Sequence, residues 1–500
     1  MSPEGKYLAL KGRLAEIWDL AKAASLLSWD QQTMMPPRGA PVRADQLATL
    51  SKVIHERFVS DEIGRLLDDL RDHEATLQYE SDEASLIRVT RRDWEKERRV
   101  PTELREEMTR AAWQAYPVWV EARRNSNFEQ FRPHLERNIE LKRRYIDCFE
   151  VDEPYDALLD DFEPQMKTAE VRDVFERLKE GLVPLVAAAS EQEIDDSCLR
   201  GRFPLEPQRS LDEKVINAFG FEPGAWRIDP TEHPFASSLS TQEIRLTTRH
   251  REDELVGIFA TMHEAGHGLY EHGVDPALER TPLCRGASLA LHESQSRMWE
   301  NLVGRSRPFL RWLYPELQRA FPDQLGSVEP DLFYRAINRV KPSPIRIEAD
   351  EATYSLHIIL RFELEQQLIA GTIDLRELPE TWNARMSEYF GIEVVDDANG
   401  VLQDVHWSRG SIGYFPTYAL GNVISVQIWE RILEAIPDLD DQLERGEFGA
   451  LRGWLRDQLH RHGRKFTPRE TLERVVGGGL DPEPYLSYLN TKLGEPTPAA

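Results

Sequence analysis

The chain has 500 residues, enough for one large domain or two to three smaller ones. Its 40% hydrophobic content, with 12 Trp, 14 Tyr and 19 Phe, marks a folded globular chain and excludes a disordered one. With 62 Lys and Arg against 87 Asp and Glu, the net charge of −25 disfavours nucleic acid as a partner.

Three cysteines, Cys148, Cys198 and Cys284, are odd in number and far apart, so neither a disulfide framework nor a cysteine metal site is expected. A reducing cytoplasmic location fits that usage. No apolar run follows a basic start near Met1, and no stretch of eighteen apolar residues occurs. Neither a signal peptide nor a membrane span is therefore expected.

Residues 1–200 read as almost wholly helical. Tyr7, Leu10, Leu14, Ile17 and Trp18 form one apolar stripe; Leu47, Leu50, Ile54 and Phe58 form another. Met34-Met35-Pro36-Pro37 breaks the chain between them. Pro101-Thr102 opens a further helix with Thr102 as N-cap. Trp113, Tyr116 and Trp119 on it form an aromatic face expected in the core.

Prolines 204, 207, 223 and 230 punctuate a looser region. Glu243 to Thr248 then alternates polar and apolar, the period of a strand, with an edge open to an extended peptide. Beyond residue 250 the chain is helical again. Near its end Thr467-Pro468-Arg469-Glu470 gives a cap, a first-turn Pro and a capping-box Glu, and Gly477 closes the helix. His460 and His462 are read as surface residues, since alternate positions do not share a helix face.

The stretch with chemistry is His263-Glu264-Ala265-Gly266-His267, an H-E-x-x-H inside the helical stripe Leu255, Ile258, Phe259, Met262, Gly266 and Leu269. Four residues of helix turn about 400°, so the two imidazoles project from one face and can grip one metal ion. Glu264 lies beside the first, in reach of a metal-bound water. The Gly and His that a metzincin would place after the motif are Tyr270 and Gly273 here, and His272 misses its place by one residue. A carboxylate from a later helix must then be the third ligand, and Glu293, 26 residues after His267, is the candidate. Two His and one Glu leave a fourth zinc position open, as hydrolysis requires.

Other motifs carry a family likeness. They are His233-Pro234-Phe235, His292-Glu293-Ser294-Gln295, Ile345-Arg346-Ile347-Glu348-Ala349-Asp350, and Gly400-Val401-Leu402-Gln403-Asp404-Val405-His406-Trp407. Family-like stretches also stand at Ser28-Trp29-Asp30, Tyr155 to Pro164 and Gly413 to Tyr418. With H-E-x-x-H and in this order, they resemble the carboxypeptidase Taq (M32) metallocarboxypeptidases over nearly the whole chain. One departure is Glu243-Ile244-Arg245-Leu246-Thr247, where the family has D-x-R-x-T.

The resemblance implies a mainly α metallopeptidase, one M32 domain over residues 1–500, with a deep groove and a small β-sheet beside the H-E-x-x-H helix. Residues 1–200 would wall the groove and residues 201–500 would hold the metal site. It implies a homodimer that releases single residues, with broad specificity, from peptides with a free C-terminus. It assigns His263, His267 and Glu293 as ligands of one Zn²⁺ per chain, with Co²⁺ or Mn²⁺ as substitutes, and Glu264 as acid/base. His406, Tyr414 and Tyr418 are candidates to stabilise the oxyanion. Arg346, then Arg245, are candidates for the terminal carboxylate, because a guanidinium pairs with it bidentately. The alternative for Arg346 is an ion pair with Glu348 or Asp350. Two other readings are a helical zinc oligopeptidase or endopeptidase, which would share the metal site, and a non-catalytic helical peptide-binding protein, against which an intact Glu264 argues.

Overall fold

The computed structural model describes residues 1–255 and 257–494. The first 200 residues are a succession of helices, as their stripes require. Helix α1 (Pro3–Thr33) starts where the Ser2 side chain accepts from Gly5 N, with Pro3 at the first position, and it stops ahead of the Met34 to Pro37 break. It pairs with α2 (Ala40–Phe58) as a hairpin. Its Leu10 and Leu14 enter a satellite core with Ile63, Leu67 and Leu283, whereas no residue of α2 is buried. Helices α3 (Thr102–Arg124) and α4 (Phe128–Ile146) pack side by side in the main core, which runs from Val100 to Leu493.

Two expectations for α3 need correction. Thr102 is the first helical residue and gives no side-chain cap; Pro101 precedes it. Only Trp119 of the aromatic trio is buried, whereas Trp113 is 62% exposed. The buried positions Ala111, Ala115, Trp119 and Ala122 recur at helical spacing, and Trp113 and Tyr116 fall off that face.

A small sheet follows, formed by β1 (Trp226–Pro230), β2 (Ala236–Ser240) and β3 (Glu243–Thr248) in the order β1-β3-β2. Strand β3 runs parallel to β1 and antiparallel to β2. It is therefore the central strand, not the open edge expected from its alternation; the pattern gives the period of a strand but not its neighbours. Helix α5 (Gly257–Gly273) lies on this sheet, and Gly268 is why it lies so close. A Cβ there would come within 2.9 Å of Ile244 Cγ2 and 3.0 Å of Leu246 Cδ2.

Helix α6 (Leu289–Arg297) begins where Ser288 Oγ accepts from Leu291 N at 3.2 Å and the buried Glu163 accepts from Ala290 N at 2.5 Å. It continues into a wider π-helical stretch, Met298–Val303. Helix α7 (Glu351–Ala370) is capped by Asp350, which accepts from Ala352 N and Thr353 N, and it ends at Gly371 with φ 71°. Helix α8 (Pro416–Ala435) packs along α6 and α7. The helix Pro468–Val476 has its capping box from Thr467 and Glu470 and its left-handed Gly477, as the sequence dictates.

Candidate metal centre

The stack of α5, α6 and α8 positions the site through two close approaches. A Cβ on Gly266 would lie 2.5 Å from Gln295 O and 2.7 Å from Ser296 Cα, both on α6. A Cβ on Gly421 of α8 would lie 2.6 Å from Glu293 Cγ. Both glycines let backbones approach so that Glu293 reaches the face of α5 that carries the imidazoles. Interior glycine costs about 0.5–1 kcal/mol per position against alanine, and this proximity offsets it.

His263 and His267 stand one turn apart with ring centroids 4.9 Å apart. Glu293 Oε2 lies 3.8 Å from His263 Nε2 and 3.5 Å from His267 Nε2. One ligand atom from each of the three residues lies within 4.8 Å of the others. A tetrahedral ion with bonds of about 2.1 Å wants its ligands roughly 3.4 Å apart, so the spacing fits one ion.

The far side of each ligand is fixed. His263 Nδ1 is 2.9 Å from Glu300 Oε2, and His267 Nδ1 is 3.1 Å from His292 O. Protons on both Nδ1 atoms, assigned from these acceptors, leave both Nε2 lone pairs facing Glu293. His292 Nε2 is held by Glu271 Oε1 at 2.9 Å, so its Nδ1 also accepts from His267. Arg297 Nε donates to Glu293 Oε1 at 2.7 Å, which leaves Oε2 for an ion, and Arg297 Nη1 donates to Glu300 Oε2 at 3.3 Å.

Charge states follow from this packing. Burial holds His267 down to about 4, so its imidazole is neutral. Burial also opposes charge on His263, but the charges of Glu293 and Glu300 win and raise it. Burial would raise Glu293, yet Arg297 and the two imidazoles hold it well below the usual carboxylate range. Glu264 is different. It is buried, its Oε2 has no protein partner, and burial pushes it up to about 7.

A second polar cluster adjoins the first through Tyr354 of α7. The Arg297 guanidinium lies 4.1 Å over the Tyr354 ring, and the Tyr354 hydroxyl accepts from Arg346 Nη1 at 3.0 Å. Arg346 Nε and Nη2 donate to Asp404 Oδ1 at 3.0 and 2.7 Å, while Arg361 Nε takes Oδ2 at 2.7 Å. His406 Nε2 is 3.3 Å from the Tyr418 hydroxyl, and the Tyr414 and Tyr418 rings are 5.2 Å apart. Burial, with the charge of Glu293 adding, pushes the Tyr414 phenol up to about 12 and Tyr418 well above its usual value, so both keep their protons. Burial holds His406 neutral, near 4.

The family motifs with no chemistry of their own support this arrangement. Gln403 Oε1 accepts from Arg346 N at 2.8 Å, and Trp407 Nε1 donates to the buried Glu365 at 2.9 Å. Thr247 of β3 bonds Phe235 in both directions, N–H to hydroxyl at 2.7 Å and hydroxyl to carbonyl at 2.8 Å.

A model of the carboxypeptidase Taq (M32) metallopeptidase family matches residues 9–493. The chain is 38% identical over 483 residues to carboxypeptidase 1 of Bacillus subtilis, covering 96% of each chain. It is 38% identical to thermostable carboxypeptidase 1 of Thermus thermophilus, covering 98% of this chain and 99% of that one. A crystal structure of the M32 carboxypeptidase from Deinococcus radiodurans superposes with a TM-score of 0.94 at 39% identity, covering 98% of this chain and 99% of that one. The chain belongs to the M32 family. It is a metallocarboxypeptidase, mainly helical with one small sheet.

The M32 fold thus brings His263, His267, Glu293 and Glu264 into one place, and Arg346, His406, Tyr414 and Tyr418 into the cluster beside it. Two imidazole nitrogens and one carboxylate oxygen, each braced from behind, are a donor set that suits a divalent metal ion. Arg245 joins neither network: it donates to Glu243 at 2.5 Å and lies 4.4 Å over the Trp29 ring. Glu243, the departure from the family Asp, therefore still pairs with its Arg. The ion pair of Arg346 is with Asp404, not with Glu348 or Asp350; Asp350 is spent on capping α7. His460 is buried, not on the surface: its Nε2 lies 2.8 Å from Gln295 Oε1, behind the ligand helix.

Glu300, Arg297 and Tyr354 escaped the reading of the sequence. Arg297 and Glu300 lie four and seven residues after Glu293, the spacing of one helix face, and that signal was available. Tyr354 carried none. No helix among the described residues is long and apolar enough to cross a membrane.

Proposed function

We propose that this M32 chain releases single amino acids from the free C-termini of peptides with broad specificity, using one zinc ion held by His263, His267 and Glu293. The observation that carries the reading is the convergence of these three ligands beside Glu264, a buried carboxyl with one oxygen free. Cobalt or manganese would suit the same donors. When bound, the ion supplies Lewis acidity to the scissile carbonyl and lowers the pKa of a water toward neutrality.

The chain does the rest. Glu264 takes the proton of the attacking water and passes it to the leaving amine, a transfer suited to a carboxyl poised near neutrality. His406 Nε2–H donates to the Tyr418 oxygen and so aims the Tyr418 hydroxyl at the oxyanion, with Tyr414 beside it as a further donor. Arg346 holds the terminal carboxylate and fixes the last residue. The groove is walled by the N-terminal helices, and the protein is a homodimer whose α1–α2 hairpin carries the contact.

Glu264→Gln should bind one metal ion per chain, as the parent does, and lose turnover by about 10²–10⁴-fold. Near-normal turnover in that variant would sink the acid/base role. Peptides blocked at the N-terminus should be trimmed and C-terminally amidated ones cleaved far more slowly; equal rates on both would make the enzyme an endopeptidase.

A further inference from the structure

A cleft of about 760 Å³ opens between α1, α3, α4 and the short helix His406–Arg409, and none of the metal ligands lines it. Trp113 and Tyr116 of α3 line it, 62% and 38% exposed. Large rings left in water by a helix whose other face is core are a surface available to a ligand.

Charge sets the cleft apart. In a chain of net charge −25, its lining includes two cations, Lys142 and Arg409, and no carboxylate. Lys142 is only 8% exposed, and its ammonium lies 5.2 Å from the Tyr145 ring. Arg409 lies 5.3 Å over the Tyr116 ring. Neither makes a hydrogen bond or an ion pair with a described residue. The carboxylates whose charge reaches Lys142 are Asp161 and Glu365. Asp161 is committed to Lys96 and Tyr145, and Glu365 to Tyr155, Trp407 and Gly413. A nearly buried ammonium with no carboxylate bonded to it is costly, burial draws its pKa below the usual lysine range, and an anion bound in the cleft would restore it.

The cleft also adjoins the reacting groups. Arg409 ends the turn that His406 begins. Ser28 and Gln32 of its wall flank Trp29, the ring beneath Arg245.

We propose that this cleft is a subsite of the peptide groove that receives an Asp or Glu side chain upstream of the bond to be cut. The carboxylate sits between Lys142 and Arg409, and its methylenes rest on Trp113 and Tyr116. This rests on the carboxypeptidase reading, in which Arg346 takes the terminal carboxylate, so the charge met here belongs to a side chain.

The test is calorimetric binding to the metal-loaded Glu264→Gln enzyme. Hexapeptides with one fixed C-terminal residue carry Glu or Gln in turn at each upstream position. At one position Glu should bind about tenfold tighter than Gln, a gain expected of a charge pair shielded from water. Arg409→Gln, at an exposed position that leaves folding intact, should bring that ratio near one, and Lys142→Met should do the same. A ratio near one at every position, or a preference that both variants retain, overturns the subsite. Failure of the carboxypeptidase reading would show separately, as no C-terminal release by the parent enzyme from any of these peptides, and it leaves the binding ratio readable.

Discussion

Arg346 is held from three directions yet keeps capacity to bind. A guanidinium has five N–H donors. Three are used, on Nε and Nη2 toward Asp404 and on Nη1 toward Tyr354, so one N–H on each terminal nitrogen remains. These two are the pair that a carboxylate engages end-on. Asp404 fixes the plane of the group before substrate arrives, and Arg361 neutralises the second Asp404 oxygen. Arg346→Ala should therefore cut kcat/KM by roughly 30- to 1,000-fold on peptides with a free C-terminus, the scale of a lost buried charge pair. C-terminally amidated peptides should change by much less. Equal losses on both would remove Arg346 from carboxylate recognition. The sequence marked this residue only by likeness, and its partner Asp404 stands 58 positions away, beyond what local spacing can read.

The metal centre is made where two glycines thin the helices. The apolar stripe of α5 was legible, Gly266 included, because a period of 3.6 is a local property. That Gly266 meets the backbone of α6, and that Gly421 meets Glu293, are contacts between distant segments. No spacing rule reaches them. The burial of His460 was missed for the same reason: its partner Gln295 lies 165 residues away. Gly266→Ala places a methyl inside the contact radius of Gln295 O. Because backbone cannot rotate aside, α5 and α6 must separate. The variant should lose about 1–3 kcal/mol of stability, the ordinary cost of overpacking. Its zinc affinity should fall at least tenfold by competition with a chromogenic chelator, since ligand misplacement acts directly on the ion. Unchanged affinity would mean that the close approach does not set the ligand spacing.

At the scale of the whole molecule, the mainly helical class and the strand before the metal helix were readable from periodicity. The order of the strands and the partition into a main and a satellite core were not, because both depend on which distant faces meet. The α1–α2 hairpin is the part least covered by the rest. Its Leu47, Leu50, Ile54 and Phe58 stripe is only half-buried, while Leu8 is 59% and Val42 62% exposed. Apolar side chains left uncovered on both arms favour a second copy as cover. Light scattering should give twice the chain mass of 57.7 kDa. Leu8→Glu with Val42→Glu should halve it, and a parent that elutes as a single chain would remove the homodimer.

The helix bearing Glu293 is wedged between a glycine on either side, while the α1–α2 hairpin buries nothing along its second arm. Freedom to move is thus distributed unevenly. The ion's cage cannot widen without unseating two helices, whereas the outer arm has little packed against it. It follows that a substitution along that arm leaves the ligand spacing untouched, whereas one at either glycine does not.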